Sequence, residues 1–205
     1  MNILNRAFAY LAYQISKTIF YIKRRKLLSI SGVEGGDDLI VQGWPDIILN
    51  NGAKLYIGRQ VVLNSSARNY HVFMHSAVKI FAEGADARVI IGDCTRMNGA
   101  CIHARASVKI GANCLIASNC QIMDSSGHAL SFDDVDNRIK TRGKSKPVEI
   151  ADSVWLGVNC IILPGVTIGR GSVIRAGSVV SESIPPFALA GGNPAIVLKQ
   201  SIRNN

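Results

Sequence analysis

Charge is scarce in this chain of 205 residues: Asp, Glu, Lys and Arg make up only 18% of it, and aromatic residues only 6%. A sequence so thinly charged and 48% hydrophobic is excluded from the disordered class and carries enough apolar side chain for one well-cored domain. Long apolar runs are missing too. Residues 1–22 are apolar in patches, but Arg6, Gln14, Ser16 and Lys17 interrupt them and no small-residue cleavage site follows, so neither a transmembrane span nor a signal peptide is expected. The five cysteines, at 94, 101, 114, 120 and 160, are odd in number and contain no CxxC pair, which argues against a metal ribbon or a disulfide framework. A reducing, cytoplasmic setting suits them.

What is present in excess is positive charge, +9 net. It lies in two clusters, Lys23 to Lys26 and the alternating Arg138, Lys140, Arg142, Lys144 and Lys146. Neither is interleaved with aromatics as a base-stacking surface would be, so no nucleic-acid partner is expected. Leu4, Phe8, Leu11, Ile15, Ile19 and Ile22 fall at near-helical spacing and predict an amphipathic helix over the first 26 residues, ended by Gly32, Gly35 and Gly36. Two uses of that helix stand open: packing on the domain behind it, or lying on an anionic membrane at its inner face.

From residue 39 a repeat takes over. Ile110, Ile116 and Ile122 are six apart, and the series resumes at Ile150, Leu156, Ile162, Ile168, Ile174 and Val180 with the same interval. Four residues after each stands something slender: Cys114, Cys120, Val154, Cys160, Val166, Ser172 and Ser178. Ile91 and Met97 keep the phase upstream, with Thr95 and Cys101 four later, so four of the five cysteines are expected to point inward as small hydrophobes. A period of six suits neither a helix nor a simple alternating strand. It requires short strands joined by regular turns, three strands to a triangular coil, with the coils stacked into a prism. Gly92, Gly111, Gly157 and Gly169, each just after an aliphatic, are expected to supply backbone freedom near the corners. The period lapses between Ile122 and Ile150, where residues 129–147 are too polar for the prism and must be extruded as a loop. His128 sits where coil becomes loop. The organisation read here is a helix and linker over 1–38, a repeat domain over 39–199 and a tail over 200–205.

The segment 148–199, with "WLG", "AGSVV" and "GGNPA", resembles the hexapeptide-repeat acyltransferases, in particular the maltose and galactoside O-acetyltransferase group. That resemblance implies an all-β, left-handed parallel β-helix, usually a homotrimer, an exception to the right-handed crossover rule. It implies acetyl-CoA as co-substrate, a carbohydrate acceptor such as a surface glycan or its lipid-linked precursor, and His128 as general base. Relatives of this type often carry Asp where this chain has Ser126, so a carboxylate orienting the imidazole is absent, with Asp124 the nearest substitute. The chemistry needs a base because a sugar hydroxyl is a poor nucleophile, and imidazole takes up a proton near neutrality. A backbone N–H near Gly157 is the expected oxyanion donor, of a kind worth about 3 kcal/mol.

By the same resemblance, Gly157, Val158, Ala176, Ser181 and Lys199 contact acetyl-CoA, with Lys199 and Arg175 left to meet phosphate because Glu182 stands where relatives often have a basic residue. Asn98, Asp124 and Trp155 are the acceptor-side residues, and His103 falls near them, while His71 and His75 read as loop or trimer contact. Other readings remain open on the same fold: a serine or amino-sugar acetyltransferase, a zinc enzyme like the γ-type carbonic anhydrases using some of the four histidines, or a silent scaffold. The sequence motifs imply no metal for the acyltransferase reading.

Overall fold

The computed structural model describes residues 3–201 apart from Asn51 and Asn69, and within the N-terminal helix the side chains of residues 3, 4, 6–9, 11–13 and 15–17 lie outside that description. The leading helix α1 (Ile3–Leu28) is followed among the described residues by twenty short strands, numbered β1 to β20 in chain order. They form three sheets. One face is built from β1 (Val33–Gly35), β4 (Lys54–Ile57), β7 (Arg88–Ile91), β10 (Ser107–Ile110), β13 (Val148–Ile150) and β16 (Thr167–Ile168). A second holds β2 (Ile40–Gln42), β5 (Val62–Asn64), β8 (Arg96–Asn98), β11 (Leu115–Ile116), β14 (Trp155–Leu156), β17 (Val173–Ile174), β19 (Ala188–Gly192) and β20 (Ala195–Gln200). The third holds β3 (Asp46–Leu49), β6 (Lys79–Ala82), β9 (Cys101–Ala104), β12 (Gln121–Met123), β15 (Ile161–Ile162) and β18 (Val179–Val180).

Every third strand along the chain pairs in parallel with the one before it, as Ile110 does with Ile150 and Ile91. Only the closing β19–β20 pair is antiparallel. This is the coiled prism that the six-residue period demands, and its class is the left-handed parallel β-helix. The first coil starts at Val33, before the boundary at 39 read from the sequence, because Val33 and its neighbours already pair with Leu55 to Ile57.

The core follows the repeat. Ile110, Ile116, Ile122, Ile150, Leu156, Ile162, Ile168, Ile174 and Val180 are all buried, as are the slender residues four positions later. Cys101 departs from the expectation: it is half-buried on the outer side of β9, where Ile102 and Ala104 point inward. Between Met97 and Ile102, the register partners of Ile116 and Ile122, the chain is one residue shorter than the period, so Ala100 takes the buried small place and Cys101 is left outside; Gly99 makes the tight turn there with a left-handed φ of +48° beside the Met74 side chain. Cys114, Cys120 and Cys160 do fill the core, and all five thiols are free.

The glycines after the aliphatics work differently from the expectation. Gly157 is not in the left-handed region; a Cβ on it would lie 2.6 Å from the Ala176 nitrogen in the next coil, so it is required by the close stacking of coils. The left-handed residue comes two positions later, at Asn159 with φ +57°, as it does at Asn113 with φ +57° and Cys94 with φ +58°.

Helix α1 docks by its C-terminal end. Leu27 is buried against the first coil, the Arg24 guanidinium donates to the Gly36 carbonyl at 3.2 Å, and the Lys23 and Lys26 ammonium groups stand 5.5 and 5.1 Å from the Trp44 ring centre. Three of the four residues in the basic cluster are thereby engaged with the protein itself. Of the predicted apolar face, Leu4, Phe8, Leu11 and Ile15 lie outside the described side chains, while Ile19 and Ile22 are exposed, together with Tyr10 and Tyr21. Among the described residues no helix is long and apolar enough to cross a membrane.

Candidate functional site

His128 stands at the root of the extruded loop, just beyond the corner that follows β12. Its ring is exposed, and Nδ1 lies 3.2 Å from the main-chain carbonyl of Thr141, which comes from the returning arm of the loop. A carbonyl can only accept, so Nδ1 is the protonated nitrogen and Nε2 carries the lone pair. The loop's root is tied at several points. Thr141 Oγ1 accepts from the Ala129 N–H at 2.9 Å, the Gly143 N–H donates to the Gly127 carbonyl at 3.0 Å, and the Ser126 hydroxyl donates to the His128 carbonyl at 2.9 Å. Gly143 passes so close that a Cβ on it would lie 2.6 Å from Ser126 Oγ and 2.7 Å from the His128 oxygen. Ser126 therefore holds the histidine's backbone, and the acceptor that orients the ring is the Thr141 carbonyl.

Asp124, expected on the acceptor side, lies in the interior. It is fully buried, and its carboxylate accepts from three successive backbone N–H groups, those of Arg105 at 2.9 Å, Ala106 at 2.7 Å and Ser107 at 2.7 Å. These bonds tie the carboxylate to the turn of the preceding coil, inside the prism. The side chain of Arg105 continues the support. Its guanidinium donates to Ser125 Oγ at 3.3 Å and to the Gly127 carbonyl at 3.2 Å, and it pairs with Glu83 at 2.5 Å. Glu83 also meets His103 Nε2 at 3.1 Å, and the His103 ring stacks on Phe81 with centroids 5.4 Å apart. Burial pushes the Glu83 carboxyl up, but the Arg105 and His103 hydrogen bonds outweigh it and hold the group below its ordinary range. His103 thus belongs to the scaffold under the His128 turn.

The other predicted residues gather elsewhere. On the outer face of the second sheet lies a groove of about 730 Å³ lined by Asn98, Trp155, Gly157, Val158, Ala176 and Arg175, among others. Trp155 is half exposed there, between Leu115 and Val173 in register, and forms a wall of the groove. Asn98 is buried at its floor, donating to the Ile116 carbonyl at 3.1 Å and accepting from Asn64 at 3.2 Å. The Gly157 N–H is committed to the Ile174 carbonyl at 2.8 Å and is not free for an oxyanion; the neighbouring Val158 N–H makes no hydrogen bond among the described residues. Tyr70 and His71 also line the groove, with ring centres 4.7 Å apart, and burial pushes the Tyr70 phenol up. Sequence reasoning read His71 as loop or trimer contact.

Ser181 is not in this groove. It lines a separate cavity of about 770 Å³ beneath the extruded loop, with Met123, Leu163, Lys144 and Lys146. Lys199 stands on β20 opposite Leu189 and lines neither cavity. Within one copy of the chain, then, the second-sheet groove and the His128 loop occupy different sides of the prism. Among the described residues no three His, Cys, Asp or Glu side chains are grouped as metal ligands, and His71, His75, His103 and His128 are held apart in separate contacts.

The comparisons with known proteins agree with this architecture. Residues 147–182 match the family described as bacterial transferase hexapeptide (six repeats). A solved hexapeptide-repeat-containing acetyltransferase from Vibrio cholerae is 30% identical, with a TM-score of 0.53, and the match covers 75% of this chain and 73% of that one. A galactoside acetyltransferase in complex with coenzyme A is 29% identical with a TM-score of 0.54, covering 76% of this chain and 65% of that one. A polySia-specific acetyltransferase is 28% identical with a TM-score of 0.53, covering 84% and 89%. The chain belongs to the hexapeptide-repeat acyltransferase family. Among curated relatives, it is 43% identical over 113 residues to a candidate acetyltransferase of Staphylococcus aureus (strain COL), covering 46% of this chain and 55% of that protein. The chain spans about half the length of the curated relatives it matches.

Proposed function

We propose that the protein is an acetyl-CoA-dependent O-acetyltransferase that acts on a carbohydrate hydroxyl, with His128 as general base. The observation that carries this reading is the contact between Nδ1 of the exposed His128 and the Thr141 carbonyl, which in the neutral imidazole places the lone pair on Nε2. In the reaction the acceptor hydroxyl oxygen bonds to the thioester carbonyl carbon, the carbon–sulfur bond breaks, and the hydroxyl proton passes to Nε2 and then to the departing thiolate. A positioned base of this kind is worth about 10²- to 10⁴-fold in rate. The Val158 N–H is the free donor at the groove for the developing oxyanion, a contribution of about 3 kcal/mol. Gly157, Val158 and Ala176 line the donor end of the groove, and Arg175 adds a cation for phosphate. Two relatives named for galactoside and polysialic acid support a carbohydrate acceptor.

Groove and base face different sides of one prism, so the working site is formed between copies. A closed three-fold ring, the homotrimer, sets the second-sheet face of each copy against the loop side of the next and reunites Ser181 with Val158 and Ala176. Tyr10, Ile19, Tyr21 and Ile22 on α1 are the exposed surface with which a cytoplasmic form would touch an anionic membrane and reach a lipid-linked glycan.

The test is acceptor-dependent release of the CoA thiol from acetyl-CoA over a panel of oligosaccharides, for the wild type and His128→Ala. Turnover that falls about 10²-fold or more in the variant, with folding unchanged, is the expected result. Absence of turnover with every acceptor, or turnover untouched by the substitution, would overturn the reading.

A further inference from the structure

The groove on the second sheet does not end at Asn98. A second cavity of about 540 Å³, lined by Gln42, Asn64, Ser66 and Arg68 among others, opens into it, and the two share Tyr70, Arg96 and Asn98. Lining residues come from β2, β5, β8, β11, β14 and β17 in their order across the sheet. Five steps of about 4.8 Å make this a furrow of about 24 Å, running from Ile40 to Arg175 along the axis of the prism. That is far longer than a single sugar ring requires.

The chemistry of the furrow is lopsided. Neither cavity is lined by an Asp or a Glu, whereas Arg68, Arg96 and Arg175 are spaced along it, all exposed. Elsewhere on the prism five cations are paired, Lys54 with Glu34, Arg59 with Asp93, Lys79 with Asp46, Lys109 with Glu149 and Arg105 with Glu83, while others such as Arg88, Arg170 and Lys199 are unpaired among the described residues. Arg68, Arg96 and Arg175 enter no ion pair among the described residues. Beside them stand Asn64, Asn98, Gln42 and Ser66, the neutral donors and acceptors that meet hydroxyls, and Trp155, a flat apolar wall at the far end. Uncompensated guanidinium groups along a walled furrow focus positive potential and favour a chain carrying repeated anions.

We propose that the furrow holds an acidic oligosaccharide, several residues long, laid along the second sheet and anchored by Arg68 and Arg96, with the residue to be modified at the Trp155 end. The surface itself is argued from geometry and charge; that the bound glycan is the acceptor rests on the acetyl-transfer reading above. The recognised feature is an anionic group on the sugar, carboxylate or phosphate.

The experiment measures binding and turnover separately. Calorimetric titration uses a galacturonate oligomer, a phosphodiester-linked oligosaccharide and a neutral maltooligosaccharide of equal length, with the wild type and with Arg68→Gln and Arg96→Gln. At least one acidic oligomer is expected to bind about tenfold or more tightly than the neutral one, to weaken as salt is raised, and to lose about tenfold with each substitution, while acetyl-CoA binding stays unchanged. Which of the two acidic oligomers prevails identifies the anion. Equal binding of the neutral oligomer, or a loss that falls on acetyl-CoA instead, would overturn the proposal by making these arginines non-specific or part of the donor site. Acidic oligomers that bind as expected but are never acetylated would leave the glycan surface standing and defeat the acetyl-transfer reading alone.

Discussion

The Nδ1 atom of His128 is held 3.2 Å from the carbonyl oxygen of Thr141, thirteen residues further along the chain and on the opposite arm of the extruded loop. That contact orients the imidazole ring. It depends on how closely the two arms approach, and Gly143 sets that approach. Gly143→Ala places a methyl group against Ser126 Oγ and the His128 carbonyl, at 2.6 and 2.7 Å, so one arm must move. We expect kcat to fall by about 10- to 100-fold with thermal stability lowered by less than about 2 kcal/mol, because the prism beneath is untouched. Steady-state kinetics beside a denaturation curve check this; normal kcat would mean the contact is dispensable.

Asp124 makes the opposite prediction. Replacing it by Asn keeps the shape but turns an amide group towards the N–H groups of Arg105, Ala106 and Ser107, all of which now donate to the carboxylate. Stability is expected to drop by about 3 kcal/mol, read from urea unfolding. If the variant were as stable as the wild type and merely lost acceptor binding, Asp124 would be a substrate residue after all.

Glu83 supplies a pH dependence with a definite sign. Its carboxyl is held below its ordinary value near 4.5 by Arg105 and His103 despite its burial. A depressed folded-state pKa stabilises the fold above the unfolded value, and that stability disappears as pH falls through the folded one. Glu83→Gln is therefore expected to melt below the wild type at pH 7, with the difference closing as pH is taken down to about 3. A gap that persisted in acid would assign the effect to packing.

Much of this molecule is legible in its sequence because a six-residue period admits so few solutions. Ile150 through Val180 and the slender residues four positions after them are inward in the structure as the period requires. What the period cannot carry is anything that breaks it. The residue missing from the turn at Gly99 leaves Cys101 facing outward, and the regular spacing upstream of it does not signal the change. Gly157 is a glycine for the sake of Ala176, a neighbour nineteen residues away that only coil stacking brings near. Motif matching named His128 and, of the residues lining the groove, Asn98, Trp155, Gly157, Val158, Arg175 and Ala176, but not Tyr70 or Arg96. The histidine's supporting shell of Thr141, Gly143, Arg105 and Glu83 is spread over a loop and two other coils, where local sequence holds no record of contact. The arginines of the furrow were equally silent, since Arg68 and Arg96 are 28 residues apart in the chain and come to line one cavity only through the stacking of coils.

The most direct test of the account mixes two inactive proteins. His128→Ala removes the base, and Val158→Trp fills the groove on the other side of the prism. Each alone is expected to show acetyl transfer reduced by about 10²-fold or more. If the site is formed between copies of a trimer, as proposed, co-expression is expected to give mixed trimers in which about a quarter of the sites combine two intact halves. Recovery of acetyl transfer towards that fraction, in an assembly separated from both parents, is the result this account predicts. Mixed assemblies as inactive as their parents would contradict it, because His128 and the groove would then not serve one site.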